Sequence, residues 1–209
     1  MLEQPLKFFV VFFVVVEPVS LIPLFTGLTS GAAGGYKRRM ALKSVLVAAA
    51  ILLLFALGGA WFLALMGISL PAFRIFGGLL LFLLSLEMVF ARESGTRTSS
   101  SEAAESRRRA DISVFPLAFP FIAGPGALAT ILLWFGPLNL PGQAALFGAY
   151  LLAMLAVLAI SLLLMLLADP LMRVIGVTGA NVAGRLAGLV LGALAVQFVL
   201  DGLRESFRL

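Results

Sequence analysis

The chain has 209 residues, 62% hydrophobic and only 12% charged, with a net charge of +5 and neither cysteine nor histidine. A soluble domain carries about 25% charged residues, so a water-facing globule of this composition would be apolar over most of its exterior, and lipid is the solvent that fits it. The missing residue types exclude disulfides, thiol chemistry, the usual zinc sites, Ser–His–Asp triads and imidazole proton relays.

A membrane-spanning helix needs ~20 mostly apolar residues. Six segments qualify, in chain order 6–28, 44–66, 72–90, 112–135, 144–168 and 182–203. None alternates with the period of a barrel strand, so the expected class is an all-α membrane protein of six transmembrane helices. The first segment imitates a signal peptide because Lys7 precedes it. It runs past Glu17-Pro18 to Leu28 without a small-x-small cleavage site and is read as a retained span.

The connections alternate in character. The first carries Lys37, Arg38, Arg39 and Lys43, the third Arg92, Arg97 and Arg107 to Arg109, and the fifth Arg173, ending near Arg185. The second and fourth, residues 67–71 and 136–143, are uncharged. Placing the odd loops in the cytoplasm puts eleven of the fifteen Lys and Arg there, leaving Lys7, Arg74, Arg204 and Arg208 opposite. The positive-inside rule then sets both termini outside. Topology thus accounts for the basic charge, and no nucleic-acid partner is expected. The Ser-, Glu- and Arg-rich stretch 94–106 reads as a mobile tether, dividing the chain into a first three-helix repeat (1–91), a linker (92–110) and a second repeat (111–209).

The repeat is visible in three motifs. Met66-Gly67-Ile68-Ser69 matches Ile175-Gly176-Val177-Thr178; an Arg with a glycine three residues later follows each, Arg74/Gly77 and Arg185/Gly188. Pro18 and Pro23 bracket four residues in the first span, as Pro120 and Pro125 do in the fourth. Spans one to three therefore correspond to four to six. Three is odd, so the second copy is expected to enter the membrane inverted.

Proline removes an N–H and clashes with the carbonyl four residues back. The first and fourth helices are therefore expected to break mid-span, leaving the carbonyls of Val14, Val19, Pro116 and Phe121 without helical donors. Glu17 sits at the first break, where an acidic side chain is costly and by default functional. The candidate substrate-binding set is Glu17, Pro18, Ser20, Pro23, Pro120, Ala123, Gly124, Pro125, Gly126 and Thr130, with Thr26 close by. Arg74 and Arg185, at the starts of spans three and six, are gating or structural candidates, and Asn181 a cap for span six. Glu87, Gln197 and Asp201 lie towards helix ends. Spans two and five, free of charge and proline, read as lipid-facing scaffold. The glycines at 77, 78, 184, 188 and 192 would allow close helix approach.

The segments EPVSLIPLF, LPAFRIFGGLLLF, FPLAFPFIAGPGALAT and NVAGRLAGLVLGALAVQFVLDGL together resemble the MarC family of bacterial inner-membrane proteins. The resemblance implies six spans and a relation to neutral amino-acid transporters. It departs at Glu17-Pro18, where the family usually has Asn-Pro. The expected function is secondary transport or export of small neutral amino acids or similar solutes. No GxxxxGK[ST] phosphate loop is present, and no paired-carboxylate, Ser/Lys or HExxH arrangement points to an enzyme. A non-transporting membrane scaffold is the alternative. Expected partners are membrane lipid and a small-molecule substrate, with homo-oligomerisation left open. No cofactor is expected beyond a coupling proton or sodium ion.

Overall fold

A computed structural model describes residues 3–90, 111–138 and 142–207; the tether expected at 94–106 lies outside the described residues. Eight helical elements follow one another: α1 (Glu3–Val16), α2 (Leu21–Leu28), α3 (Gly34–Leu65), α4 (Leu70–Phe90), α5 (Ser113–Ile122), α6 (Pro125–Phe135), α7 (Ala144–Leu166) and α8 (Ala168–Phe207). Five spans are long and apolar enough to cross a bilayer, counting α1 with α2 as one. The α5–α6 pair, bent by 55°, makes a sixth where it crosses as one span. The all-helical membrane class therefore holds, with five to six candidate spans and breaks at the first and fourth.

The proline rules explain the breaks in detail. The first turn of a helix has spare N–H groups, so proline costs nothing there. Pro125 opens α6 and Pro23 is the third residue of α2. Both therefore begin a helix. The interruptions belong to Pro18 and, in α5, to Pro116 and Pro120. Phe115 and Phe119, each preceding a proline, are extended (φ −125°, ψ 126° and φ −130°, ψ 129°), as the residue before proline prefers. The chain bridges them with wide turns, Leu117 N–H donating to Ile112 O (3.3 Å) and Ala123 N–H to Ala118 O (2.8 Å). One expectation is corrected: the Val19 carbonyl accepts from Ile22 N–H at 3.1 Å, because a tighter turn replaces the bond that Pro23 cannot make.

The glycines matched between the halves also share a conformation. Gly67 has φ +71° and Gly176 φ +64°, a region that only glycine enters freely. Gly67 follows the end of α3, and Gly176 marks a kink within α8. In α8 the helix resumes just after Gly176, so Asn181 lies inside a helix and exposed. It cannot cap span six, and that reading is corrected.

The tightest helix pair is α4 with α8. A methyl group built on Gly202 would lie 3.0 Å from the Pro71 carbonyl oxygen; on Gly78, 2.9 Å from that of Ala195; on Gly188, 3.1 Å from that of Ser85. Pro71, Gly78 and Ser85 are spaced by seven residues, as are Gly188, Ala195 and Gly202 in the opposite direction. This antiparallel seam of small residues brings two backbones together where lipid supplies no hydrophobic drive and packing must do so.

The two broken spans are the most buried. The most apolar window of the first is 56% buried, against 22–33% for α3, α4, α7 and α8. Spans three and six are thus about as lipid-exposed as two and five, correcting the expectation that only the latter face lipid. The reason is that α4 and α8 each bury one face, the glycine seam foremost, and leave the remainder of their circumference outside. The principal pairings join the two halves of the chain: α4 on α8, α3 on α5 and α6, α1 on α7 and α6, and α2 on α8, with α7 on α8 the exception. Several exchange when the halves are swapped. The α3–α5 contact corresponds to α7–α1, and α2–α8 to α6–α4.

Ion pairs sort the bundle ends. At one end Lys37 Nζ lies 2.7 Å from Asp169 Oδ2 and Lys43 pairs with Asp111, tying the first loop to the fifth and third. At the other, Arg74 pairs with Glu205, and Tyr150 Oη donates to Gln4 Oε1 at 3.3 Å. Lys43, together with the Ser113 hydroxyl and N–H (2.5 and 2.9 Å), holds the Asp111 carboxyl well below the usual carboxylate range. A depressed folded value means the stabilisation is complete above the unfolded pKa and is lost as pH falls through the folded one. Both partners are over 40% exposed, which limits the pair to about 1 kcal/mol. Asp111→Asn should therefore lower the melting temperature by roughly 2–4 °C at pH 7. The difference should persist at pH 5 and shrink only below about pH 4; scanning calorimetry of both proteins across that range measures it.

Candidate functional site

The first break is organised by one residue. Glu17 has φ +53°, the only positive value at a non-glycine position among the described residues, and such a conformation costs of order 1–3 kcal/mol. It is 6% exposed. Its Oε1 accepts the Ser20 hydroxyl at 2.5 Å. Ser20 stands at the N-cap position of α2, yet its side chain caps nothing there; it turns back to the carboxylate. Across from them is α8, where a methyl on Gly184 would stand 2.7 Å from Glu17 Oε1 and 3.7 Å from Ser20 Oγ. A buried carboxylate, a hydroxyl and a bare backbone thus meet at the break. Sequence reasoning named the first two; Gly184 was legible only as one of several spaced glycines.

The second break is shaped by backbone. Gly124 has no room for a side chain, because its Cβ would lie 2.2 Å from the Pro120 carbonyl oxygen. Gly126 faces Leu81 and Leu84 of α4 and Val15 of α1, with Cβ distances of 3.1 to 3.3 Å. Ala123 is fully buried. Thr130 is buried too, its hydroxyl donating to Gly126 O at 2.9 Å, within its own helix. Pro120, Gly124, Pro125 and Gly126 join Val15, Leu80 and Leu84 around a cavity of ≈ 20 Å³, about the room one water needs.

The two breaks are therefore neighbours through Val15, two residues before Glu17. Glu17, Pro18 and Ser20 cluster against α8, while Pro120, Ala123, Gly124, Pro125 and Gly126 cluster against α4 and α1. Pro23 and Thr130 lie on the helices leading away. Arg74 is held by Glu205 at the bundle end, and Arg185 is exposed on α8 beside buried Gly184. Among the described residues no group of three or more carboxylates could hold a metal ion.

Five to six long apolar helical spans, with buried backbone breaks at Glu17-Pro18 and Pro120 to Gly124, define a multi-pass integral membrane protein. The MarC family of integral membrane proteins matches residues 2–207, and the chain belongs to that family. It is similar to the UPF0056 membrane protein of Aquifex aeolicus (36% identity; 97% of this chain, 93% of the relative). It is also similar to YhcE of Escherichia coli (34%; 96% and 92%) and YvbG of Bacillus subtilis (32%; 95% and 93%). No solved structure matches the chain.

Proposed function

We propose that the protein is a secondary transporter of small neutral solutes, neutral amino acids foremost, with its site where the two broken spans meet. One observation carries the reading: a strained, buried carboxylate at one mid-span break, hydrogen-bonded to a hydroxyl and adjoining a second break. Irregular backbone at membrane depth persists only when buried in protein or lining a cavity, and two neighbouring breaks with an ionisable side chain resemble how transporters build solute and ion sites. Glu17 is the group to exchange a proton, or bind a sodium ion, as the solute moves. The ≈ 20 Å³ cavity would then be an occluded state, opened by movement of α1–α2 and α5–α6 within the surrounding helices. The exchange of packing partners between halves supports an inverted repeat, the symmetry by which one site opens alternately to either side.

Counterflow of a labelled amino-acid panel in proteoliposomes tests the function directly. Saturable exchange of one or more neutral amino acids is expected, and none across the panel would sink the proposal. In a bacterial inner membrane the Lys- and Arg-rich end faces the cytoplasm and both termini lie outside. Cysteines placed at Ser100 and Gly142 should accordingly label from opposite sides, Ser100 from the cytoplasm. Labelling of both from one side would overturn the orientation.

A further inference from the structure

At the end of the bundle that holds both termini, about nine residues along α6 from Pro125, a second and larger cavity opens. Its volume is ≈ 430 Å³, and its wall includes Lys7, Arg74, Trp134, Tyr150, Phe198 and Asp201. At 1.5 Å per residue it lies roughly 14 Å from the second break, so it is a separate place. Its volume falls in the range of sites that enclose small molecules.

The wall has two characters. Trp134 and Tyr150 meet edge to face with ring centroids 5.5 Å apart and, with Phe198, offer an apolar surface. Cationic and anionic groups share the same wall, and partners outside the cavity hold each in place. Arg74 pairs with Glu205; a guanidinium has five donors, so the pair leaves some over. Asp201 accepts from Gln197 at 2.8 Å and lies 3.9 Å from Arg204; a carboxylate has about four acceptor positions, so it too has capacity left. Trp134 contributes its ring to the wall; its indole N–H is buried away from the accessible space.

We infer that this cavity is a recognition site for a zwitterion bearing an apolar group, its anionic part towards Arg74, its ammonium towards Asp201, and its apolar part against the aromatic wall. Two sources share that chemistry: a free amino acid with an aliphatic side chain, and the headgroup of a zwitterionic lipid such as phosphatidylethanolamine. As a waiting station on a route through the bundle it rests on the transport reading; as a binding site it stands alone.

The chain has two tryptophans, and Trp61 is 69% exposed, so Trp61→Phe leaves Trp134 as the sole reporter. In nanodiscs of phosphatidylglycerol this variant is titrated with L-leucine, with isoamylamine, which lacks the carboxylate, and with isocaproate, which lacks the ammonium. Parallel nanodiscs carry increasing phosphatidylethanolamine. A saturable change in Trp134 emission is expected with leucine if the free solute is the source, or with phosphatidylethanolamine if the lipid is. Each single-charge analogue, and Asp201→Asn in the same background, should bind at least about tenfold more weakly, the cost of one charged hydrogen bond. A null response to both zwitterions overturns the site. So does equal binding of the single-charge analogues, or unchanged affinity in Asp201→Asn. Leucine counterflow without any Trp134 response removes this site and leaves transport standing; a Trp134 response without counterflow of any amino acid does the reverse.

Discussion

Gly78→Leu is expected to yield no monodisperse protein on extraction from the membrane. Gly78 sits at the centre of the α4–α8 seam, where even a methyl would lie 2.9 Å from the Ala195 carbonyl oxygen and 3.0 Å from Val199 N. Both obstacles are backbone, so no rotamer change clears them and the two helices must separate. Overpacking a core by a methylene or so costs ~1–3 kcal/mol. Four carbons pressed against a neighbouring backbone exceed that, and the loss compares with the whole stability of a typical domain, ~5–15 kcal/mol. Gly58 is the control: no atom lies within 4 Å of its Cβ, and Gly58→Leu should purify as wild type. Size-exclusion profiles of the two variants decide the matter. A well-behaved Gly78→Leu protein would mean that α4 and α8 do not pack as described.

Gly184→Val has a different expected outcome: a folded, inserted protein that transports at least ~10²-fold more slowly, a loss of the size that misplacement by about an ångström can cause. Here the atom in the way is Glu17 Oε1, 2.7 Å from the added carbon, the far end of a side chain that can swing aside. Moving it breaks the 2.5 Å bond from Ser20 that fixes the carboxylate in its strained turn. Glu17→Gln separates position from charge, because the amide oxygen can still accept from Ser20 while the group no longer titrates. If Glu17 carries the coupling proton, the Gln variant loses pH-driven accumulation but keeps exchange. Wild-type rates in both variants, measured by uptake and counterflow in proteoliposomes, would show that the first break is not on the solute's path.

The fold was legible because its determinants are local. Twenty-residue apolar runs announce spans, and Gly67 and Gly176 mark matched turns whose left-handed backbone restricts the residue choice. Proline location was legible, its consequence only partly so. From sequence, Pro18 and Pro23 look equivalent, but the helix resumes at Leu21, which puts Pro23 in a first turn where no bond is lost. The boundary of α8 was missed for a related reason: Gly176 permits a break, yet helix lies on both sides of it, leaving Asn181 in the interior. The seam between α4 and α8 was half legible. The glycines suggested close approach, but the register that sets Gly78 opposite Ala195 and Ser85 opposite Gly188 depends on tertiary packing. Least visible was the cavity around Trp134 and Asp201, assembled from five separate helices with no shared sequence signature.

The dominance of contacts between the halves bears on how the protein assembles. Neither half has a core of its own, so in folding terms the molecule behaves as an obligate heterodimer whose two subunits happen to be covalently joined. Covalent joining then acts by mass action, because it raises the effective concentration of each half at the other. During synthesis the first three spans enter the bilayer before their packing partners exist, with Gly78 and Ser85 facing lipid or whatever insertion machinery is at hand. That interval, in which the seam is open and its mate still on the ribosome, is when the nascent chain is most exposed to mispairing with a second copy and to membrane proteases.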